Sequence, residues 1–246
     1  MRLSERVYLV GGGDLGFGIS GDLDCHVYLV DGGEELALID AGAGRSLEPI
    51  LNNICRDGLD PNKLRYLCLT HAHADHSGGA CEWHERFGIE VAAAGLAAQY
   101  LQQADEERIS LAAAKRGGFC PPDYVFRPCP VRHVLADGDR FKVGNLELRA
   151  LETPGHSSGA LSWLLQEPDK TLLFCGDTVF HGGRILVTNV WDCDVPQYAR
   201  SIGKLASCDV DALLPGHLTI ALKNGASHIR KAWESMQRLT MPPNIL

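Results

Sequence analysis

No run of about 18 uncharged apolar residues occurs in this chain, so no membrane-spanning helix is expected. The opening residues, Met1 to Val10, carry an acid at Glu5 and no long apolar stretch, which argues against a secretory signal there. A basic excess is missing too. The 23 lysines and arginines stand against 31 aspartates and glutamates, a net charge of −8. A general nucleic-acid surface would need the opposite balance, so neither a nucleic-acid partner nor a membrane partner is expected. C-x-x-C pairs are absent although the chain has nine cysteines (Cys25, Cys55, Cys68, Cys81, Cys120, Cys129, Cys175, Cys193 and Cys208). Several sit in apolar runs, Cys68 after Tyr66-Leu67 and Cys175 after Leu172-Leu173-Phe174. They read as small buried residues in a reducing compartment, not as a disulfide framework, and the cytoplasm is the expected location. There is no fixed-period repeat, which excludes a solenoid. Hydrophobic residues make up 45% and charged residues 22% of 246, so disorder, collagen and coiled coil are excluded as well.

What is present is an alternation of short apolar runs and helical stretches. Val27–Val30 and Leu36–Ile39 are predicted strands joined at Asp31-Gly32-Gly33, a hairpin signal. Leu47–Ile54 has helical spacing behind Ser46, a capping residue. Tyr66–Leu69 is a buried strand, and a helix runs through Glu82–Phe87 to Gly88. Ala97–Ala114 is predicted as one helix, stopped by Gly117-Gly118 and followed by prolines 121, 122, 128 and 130. The later strands are Arg140–Val143, Leu146–Leu151, Leu161–Leu165, Thr171–Cys175 and Leu213-Leu214. The later helices are Pro196–Leu205 and Ser227–Arg238. Hairpins mixed with helices in both halves point to a layered α/β protein with two sheets. Residues 1–246 are read as one domain, with 95–132 as a helical and loop insertion that breaks the strand rhythm.

The chemistry is concentrated in Thr70-His71-Ala72-His73-Ala74-Asp75-His76-Ser77-Gly78-Gly79, directly after a strand. Three histidines and an aspartate fall within six residues, spaced only by alanines. Imidazole and carboxylate at that density suit Zn²⁺ or Fe²⁺ more than Mg²⁺ or Ca²⁺, which prefer all-oxygen sites. Three further candidates share one context, the end of an apolar run followed by a turn: His156 after Pro154-Gly155, Asp177 after Gly176, and His217 after Pro215-Gly216. Together these are seven ligand-type residues, enough for two metals sharing one carboxylate.

This ordered set, His71-x-His73-x-Asp75-His76, then Pro154-Gly155-His156, Gly176-Asp177 and Pro215-Gly216-His217, resembles the metallo-β-lactamase superfamily. The likeness runs from about Cys25 to His228. It implies a four-layer αβ/βα sandwich with two divalent metal ions between the sheet edges, zinc first, with manganese or iron as alternatives. It implies that His71, His73 and His156 hold one metal, that Asp75, His76 and His217 hold the other, and that Asp177 bridges them. Leu38-Ile39-Asp40-Ala41-Gly42 matches the family's early strand end, so Asp40 would orient a ligand histidine.

Two metals sharing a water can lower its pKa toward neutrality, and the hydroxide then attacks a polarised carbonyl. Asp75 would be a ligand and the acceptor of the water's proton. The implied reaction is hydrolysis of a thioester, ester or lactone of a small molecule, closest to a short glyoxalase II-like enzyme. Two alternatives stand beside it: a mononuclear iron oxygenase of the persulfide dioxygenase kind, and an acyl-homoserine lactonase. In the latter a tyrosine stands three positions after the bridging aspartate, where this chain has Phe180. Specificity is expected in residues 95–132 and in His181-Gly182-Gly183-Arg184, where His181 and Arg184 would face the pocket and Arg184 could hold a substrate carboxylate. Lys223, Arg230 and Lys231 form a basic cluster in the last segment. The oligomeric state is left open, a homodimer included.

Overall fold

Strands with no exposed face need cover on both sides, and the architecture follows from that demand. The computed structural model describes residues 1–245. One sheet runs in the order β1 (Val7–Gly11), β2 (Val27–Asp31), β3 (Leu36–Ile39), β4 (Leu64–Cys68), β5 (Glu90–Ala94), β6 (His133–Leu135). The second runs β11 (Ala212–Pro215), β10 (Thr171–Gly176), β9 (Leu161–Gln166), β8 (Leu146–Glu152), β7 (Arg140–Val143). Successive residues of a strand point to opposite faces. Tyr28, Val30, Ala37, Ile39 and Cys68 therefore meet Trp163, Leu172, Phe174 and Leu214 in a core between the sheets. The alternate residues Val27, Leu29, Leu36, Leu38 and Leu67 pack outward under helices α1 (Glu48–Arg56), α3 (Ala80–Phe87) and α4 (Gly95–Gln103). On the far side, Leu173, Cys175 and Leu213 pack against α6 (Val195–Ala206) and α7 (Gly225–Gln237). The result is the four-layer αβ/βα sandwich. All nine cysteines are free. Among the described residues no helix is long and apolar enough to cross a membrane.

Several expectations need correction. Strands β1, β5 and β6 were not expected. β5 reads Glu-Val-Ala-Ala-Ala, a composition that favours helix, and only its parallel pairing with β4 and β6 makes it a strand. The predicted helix over 97–114 is two helices. α4 stops where Ala104 turns left-handed (φ 48°), and α5 (Leu111–Arg116) starts after Ser110, also left-handed (φ 55°). Ser46 is not the cap of α1. Leu47 is, and the Ser46 hydroxyl accepts only a 3.4 Å bond from the Glu48 amide. Residues 95–132 connect β5 to its parallel neighbour β6. Parallel strands require a crossover of about a dozen residues or more, so the break in strand rhythm is an enlarged crossover.

Candidate metal centre

The chain ends of β3, β4, β10 and β11 lie side by side, because β3 and β4, and β10 and β11, are parallel pairs. Every residue of the motif set leaves one of these ends, except His156, which sits in the turn between β8 and β9. After β4 the chain passes through His71 and His73 into a one-turn helix, α2 (Ala74–Ser77), that carries Asp75 and His76. The Ser77 hydroxyl ties that turn back by donating to the Ala72 and His73 carbonyls at 2.9 and 3.0 Å. Gly216 is required where it stands. A Cβ there would overlap Asp177 Oδ1 and come within 2.5 Å of His76 Cε1.

Two groups of donors form side by side. His71, His73 and His156 make one, and Asp75, His76 and His217 the other. His73 Nδ1 lies 3.0 Å from His156 Nε2. His76 Nε2 lies 3.3 Å from His217 Nε2 and 3.5 Å from Asp75 Oδ2, and His217 Nε2 is 3.1 Å from that same oxygen. Asp177 stands between the groups. Its Oδ1 is 3.4 Å from His76 Nε2, and its Oδ2 is 3.6 Å from His156 Nε2 and 3.5 Å from His217 Nε2. Donors about 2.0–2.1 Å from a tetrahedral zinc are separated by about 3.3 Å, so these spacings suit a shared cation.

The outer hydrogen bonds assign the tautomers. His156 Nδ1 donates to the Leu186 carbonyl at 2.9 Å, and His73 Nε2 donates to Asp192 Oδ2 at 3.2 Å. Their facing nitrogens are 3.0 Å apart, so with both rings neutral two lone pairs would converge where a cation could sit, and with His73 protonated its Nδ1 would donate to His156 Nε2. His76 Nδ1 donates to Asp40 Oδ2 at 2.8 Å. Thr70 Oγ1 gives its proton to that oxygen at 2.7 Å and accepts from His71 Nδ1 at 3.0 Å. His71 Nε2 and Asp177 Oδ1, both among the converging donors, are buried with no hydrogen-bond partner, as are His26 Nε2 and His217 Nδ1 outside them. The all-imidazole and carboxylate donor set fits zinc, iron or manganese.

Electrostatics agree with that fit. Burial opposes the charge of Asp177, but the His217 and His76 imidazoles outweigh it and hold its carboxyl well below the usual range. Asp75 is brought down to about 2 against burial by the same two rings. Burial pushes His71 well below the imidazole range and His156 to about 4, so both rings are neutral. His76 moves well above it, because Cys25, Asp75, Asp177 and Asp40 outweigh burial. His217 moves up through Asp177 and Asp75, and His73 through Asp192. Acidic neighbours that strengthen an imidazole's hold on a proton strengthen its hold on a metal as well.

Asp40 lies behind His76. Its backbone is left-handed (φ 62°), a conformation aspartate tolerates, and its carboxylate also accepts from the Thr70 amide at 2.7 Å. His181 and Arg184, expected at the pocket, are engaged elsewhere. His181 stacks on His228 of α7 with ring centroids 4.3 Å apart, and Arg184 donates to the Asn244 carbonyl at 3.3 Å. The run after Asp177 turns away from the cluster because Phe180 is fully buried and Gly182-Gly183 seats the loop on α7. Two polar residues behind the site escaped sequence reasoning: Asp192, which is 3% exposed, and Ser110, whose hydroxyl donates to Asp192 Oδ1 at 2.5 Å. Neither lies in a motif, and only the folded contact to His73 marks them.

The profile of the Metallo-beta-lactamase superfamily matches residues 20–217. Among curated proteins, the chain is 28% identical over 238 residues to an atrochrysone carboxyl ACP thioesterase of Aspergillus fumigatus, covering 96% of this chain and 63% of that protein. It therefore spans less than two thirds of that relative's length. It is 29% identical over 219 residues to the acyl-coenzyme A thioesterase MBLAC2 of Gallus gallus, covering 79% of this chain and 73% of that one. It is 30% identical over 153 residues to the hydroxyacylglutathione hydrolase GloC of Haemophilus influenzae, covering 62% and 65%. Among solved structures, BJP-1, a subclass B3 metallo-beta-lactamase of Bradyrhizobium japonicum, aligns with a TM-score of 0.74 at 22% identity, covering 97% of this chain and 91% of that one. At that identity the likeness is one of fold. The profile match ends on His217, the last histidine of the cluster, and this chain belongs to the metallo-beta-lactamase superfamily.

Proposed function

We propose that this protein is a binuclear metal-dependent thioesterase acting on a small-molecule acyl thioester. The observation that carries the reading is the convergence of His71, His73 and His156, and of Asp75, His76 and His217, into two donor sets with Asp177 in contact with both. In this reading His71, His73 and His156 would hold one divalent ion, Asp75, His76 and His217 would hold the other, Asp177 would be shared, and zinc would be the metal. When bound, such ions supply an acidified water and Lewis-acid polarisation of the carbonyl. The chain's own residues do the rest. Asp75 is the most open carboxylate of the set, its side chain 36% exposed. The His76 and His217 imidazoles keep it an anion, which would orient the attacking water and pass on its proton. Water adds to the acyl carbon, the C–S bond breaks, and the relayed proton ends on the departing thiolate. His71 and His156, kept neutral by burial, would be available as ligands.

The relatives support the choice of bond. An acyl carrier protein thioesterase, an acyl-coenzyme A thioesterase and a hydroxyacylglutathione hydrolase all act on thioesters by their names, although they differ in carrier. Phe180, fully buried, offers no phenol at the position the lactonases use. The test is metal content per chain together with thiol release from acyl-coenzyme A, acyl-glutathione and lactone panels. About two zinc ions per chain and thiol release are expected. One iron per chain with oxygen uptake on persulfides would overturn the reading in favour of the oxygenase.

A further inference from the structure

Asp192 is a buried carboxylate bound by two donors from different parts of the fold. Its Oδ2 accepts from His73 Nε2 at 3.2 Å and its Oδ1 from Ser110 Oγ at 2.5 Å. Ser110 belongs to the crossover between β5 and β6, and its left-handed backbone (φ 55°) aims the hydroxyl inward. The residue before Asp192 is gripped by the same segment. Trp191 Nε1 donates to the Glu107 carbonyl at 2.6 Å, and the Arg108 guanidinium lies 4.9 Å from the centre of the Trp191 ring. Tyr100 meets that ring edge-on at 6.2 Å. Two successive residues behind His73 are thus fixed by the crossover.

We propose that Asp192 and Ser110 are positioning residues: the crossover, through Ser110, sets the Asp192 carboxylate, which orients His73 and makes its Nδ1 a stronger donor to a divalent metal. This rests on the metal reading above. A carboxylate behind a ligand imidazole fixes the ring and raises its basicity, and loss of such a partner weakens metal binding by about 10–100-fold. A purely structural Asp192 would tolerate asparagine. The amide oxygen can still accept from His73 Nε2, and the Ser110 hydroxyl can rotate to accept from the amide nitrogen. Asp192→Asn therefore removes charge while keeping shape. Ser110→Gly removes the hydroxyl while relaxing the left-handed backbone.

The experiment strips the full chain of metal and titrates Zn²⁺ against a chromophoric chelator, with the Co²⁺ visible spectrum and the melting temperature of the metal-free protein as companion readouts. Wild type is expected to take two equivalents. Asp192→Asn should weaken one of them by about 10–100-fold and shift the Co²⁺ spectrum, while the melt shows that the variant is folded. Ser110→Gly should weaken the same equivalent by several-fold, and it carries the test if the asparagine variant does not fold. Wild-type affinity for both equivalents in both variants overturns this proposal alone. A wild-type chain that binds no divalent metal overturns the metal reading and this proposal with it.

Discussion

Asp40→Asn isolates what one buried carboxylate does for a ligand histidine. Asparagine tolerates the left-handed backbone at this position as well as aspartate does, so the chain trace need not change. The carboxylate accepts from three donors: the Thr70 amide at 2.7 Å, the Thr70 hydroxyl at 2.7 Å and His76 Nδ1 at 2.8 Å. An amide replaces one acceptor by a donor. The Thr70 amide is fixed backbone and cannot become an acceptor, so the new oxygen must face it and the new NH₂ must face His76. The Thr70 hydroxyl can rotate. His76 adapts by giving up its Nδ1 proton and keeping the one on Nε2, which points at Asp75 and Asp177, 3.5 and 3.4 Å away. The metal-free fold should therefore be close to wild type in stability. Metal binding requires the Nε2 lone pair back, which forces two buried donors to face each other. Leaving a buried donor unpaired costs about 1–3 kcal/mol. That corresponds to binding at the His76 group weaker by about 5- to 150-fold. Chelator competition on the metal-stripped protein reads the affinity, and a thermal melt reads the fold. Two equivalents bound at wild-type affinity by Asp40→Asn would refute the tautomer argument.

Asp177→Ala should lose metal and thioesterase activity together, checked by elemental analysis and thiol release, because Asp177 contributes to both donor groups. Gly216→Ala should lower the melting temperature and weaken metal binding, since its methyl group would meet Asp177 and the His76 ring; an unchanged melt would show that the β11 turn gives way. The pH dependence has a defined sign. Ligand imidazoles must be deprotonated to bind metal. The raised pKa values of His76 and His217 let protons compete above the ordinary imidazole value of about 6.5. Apparent zinc affinity, measured by chelator competition from neutral pH to pH 9, should keep rising across that range, and a plateau from pH 7 would contradict it.

The legible part of this molecule is the part written in short spacings. His71, His73, Asp75 and His76 lie on one loop and one helical turn, so their sequence order nearly determines their proximity. His156, Asp177 and His217 are announced by the turns that end their strands. Their meeting depends on which strands are neighbours, and no single turn encodes that; only the order of the motifs as a set implies it. β5 was not legible, because Ala92, Ala93 and Ala94 become a strand only through the ladders on either side. His181 and Arg184 misled for a related reason. Sequence nearness to Asp177 says nothing of direction, and the buried Phe180 sends the chain toward α7. Asp192 and Ser110 mark the same boundary from the other side. The partner of His73 Nε2 arrives from a distant loop, and that loop is held by a crossover whose helix break no local signal foretold. The identity of the proposed ligands is thus local information, while their basicity is tertiary. It follows that two chains with the same seven ligands can differ in metal affinity through residues such as Asp192 that no ligand motif contains.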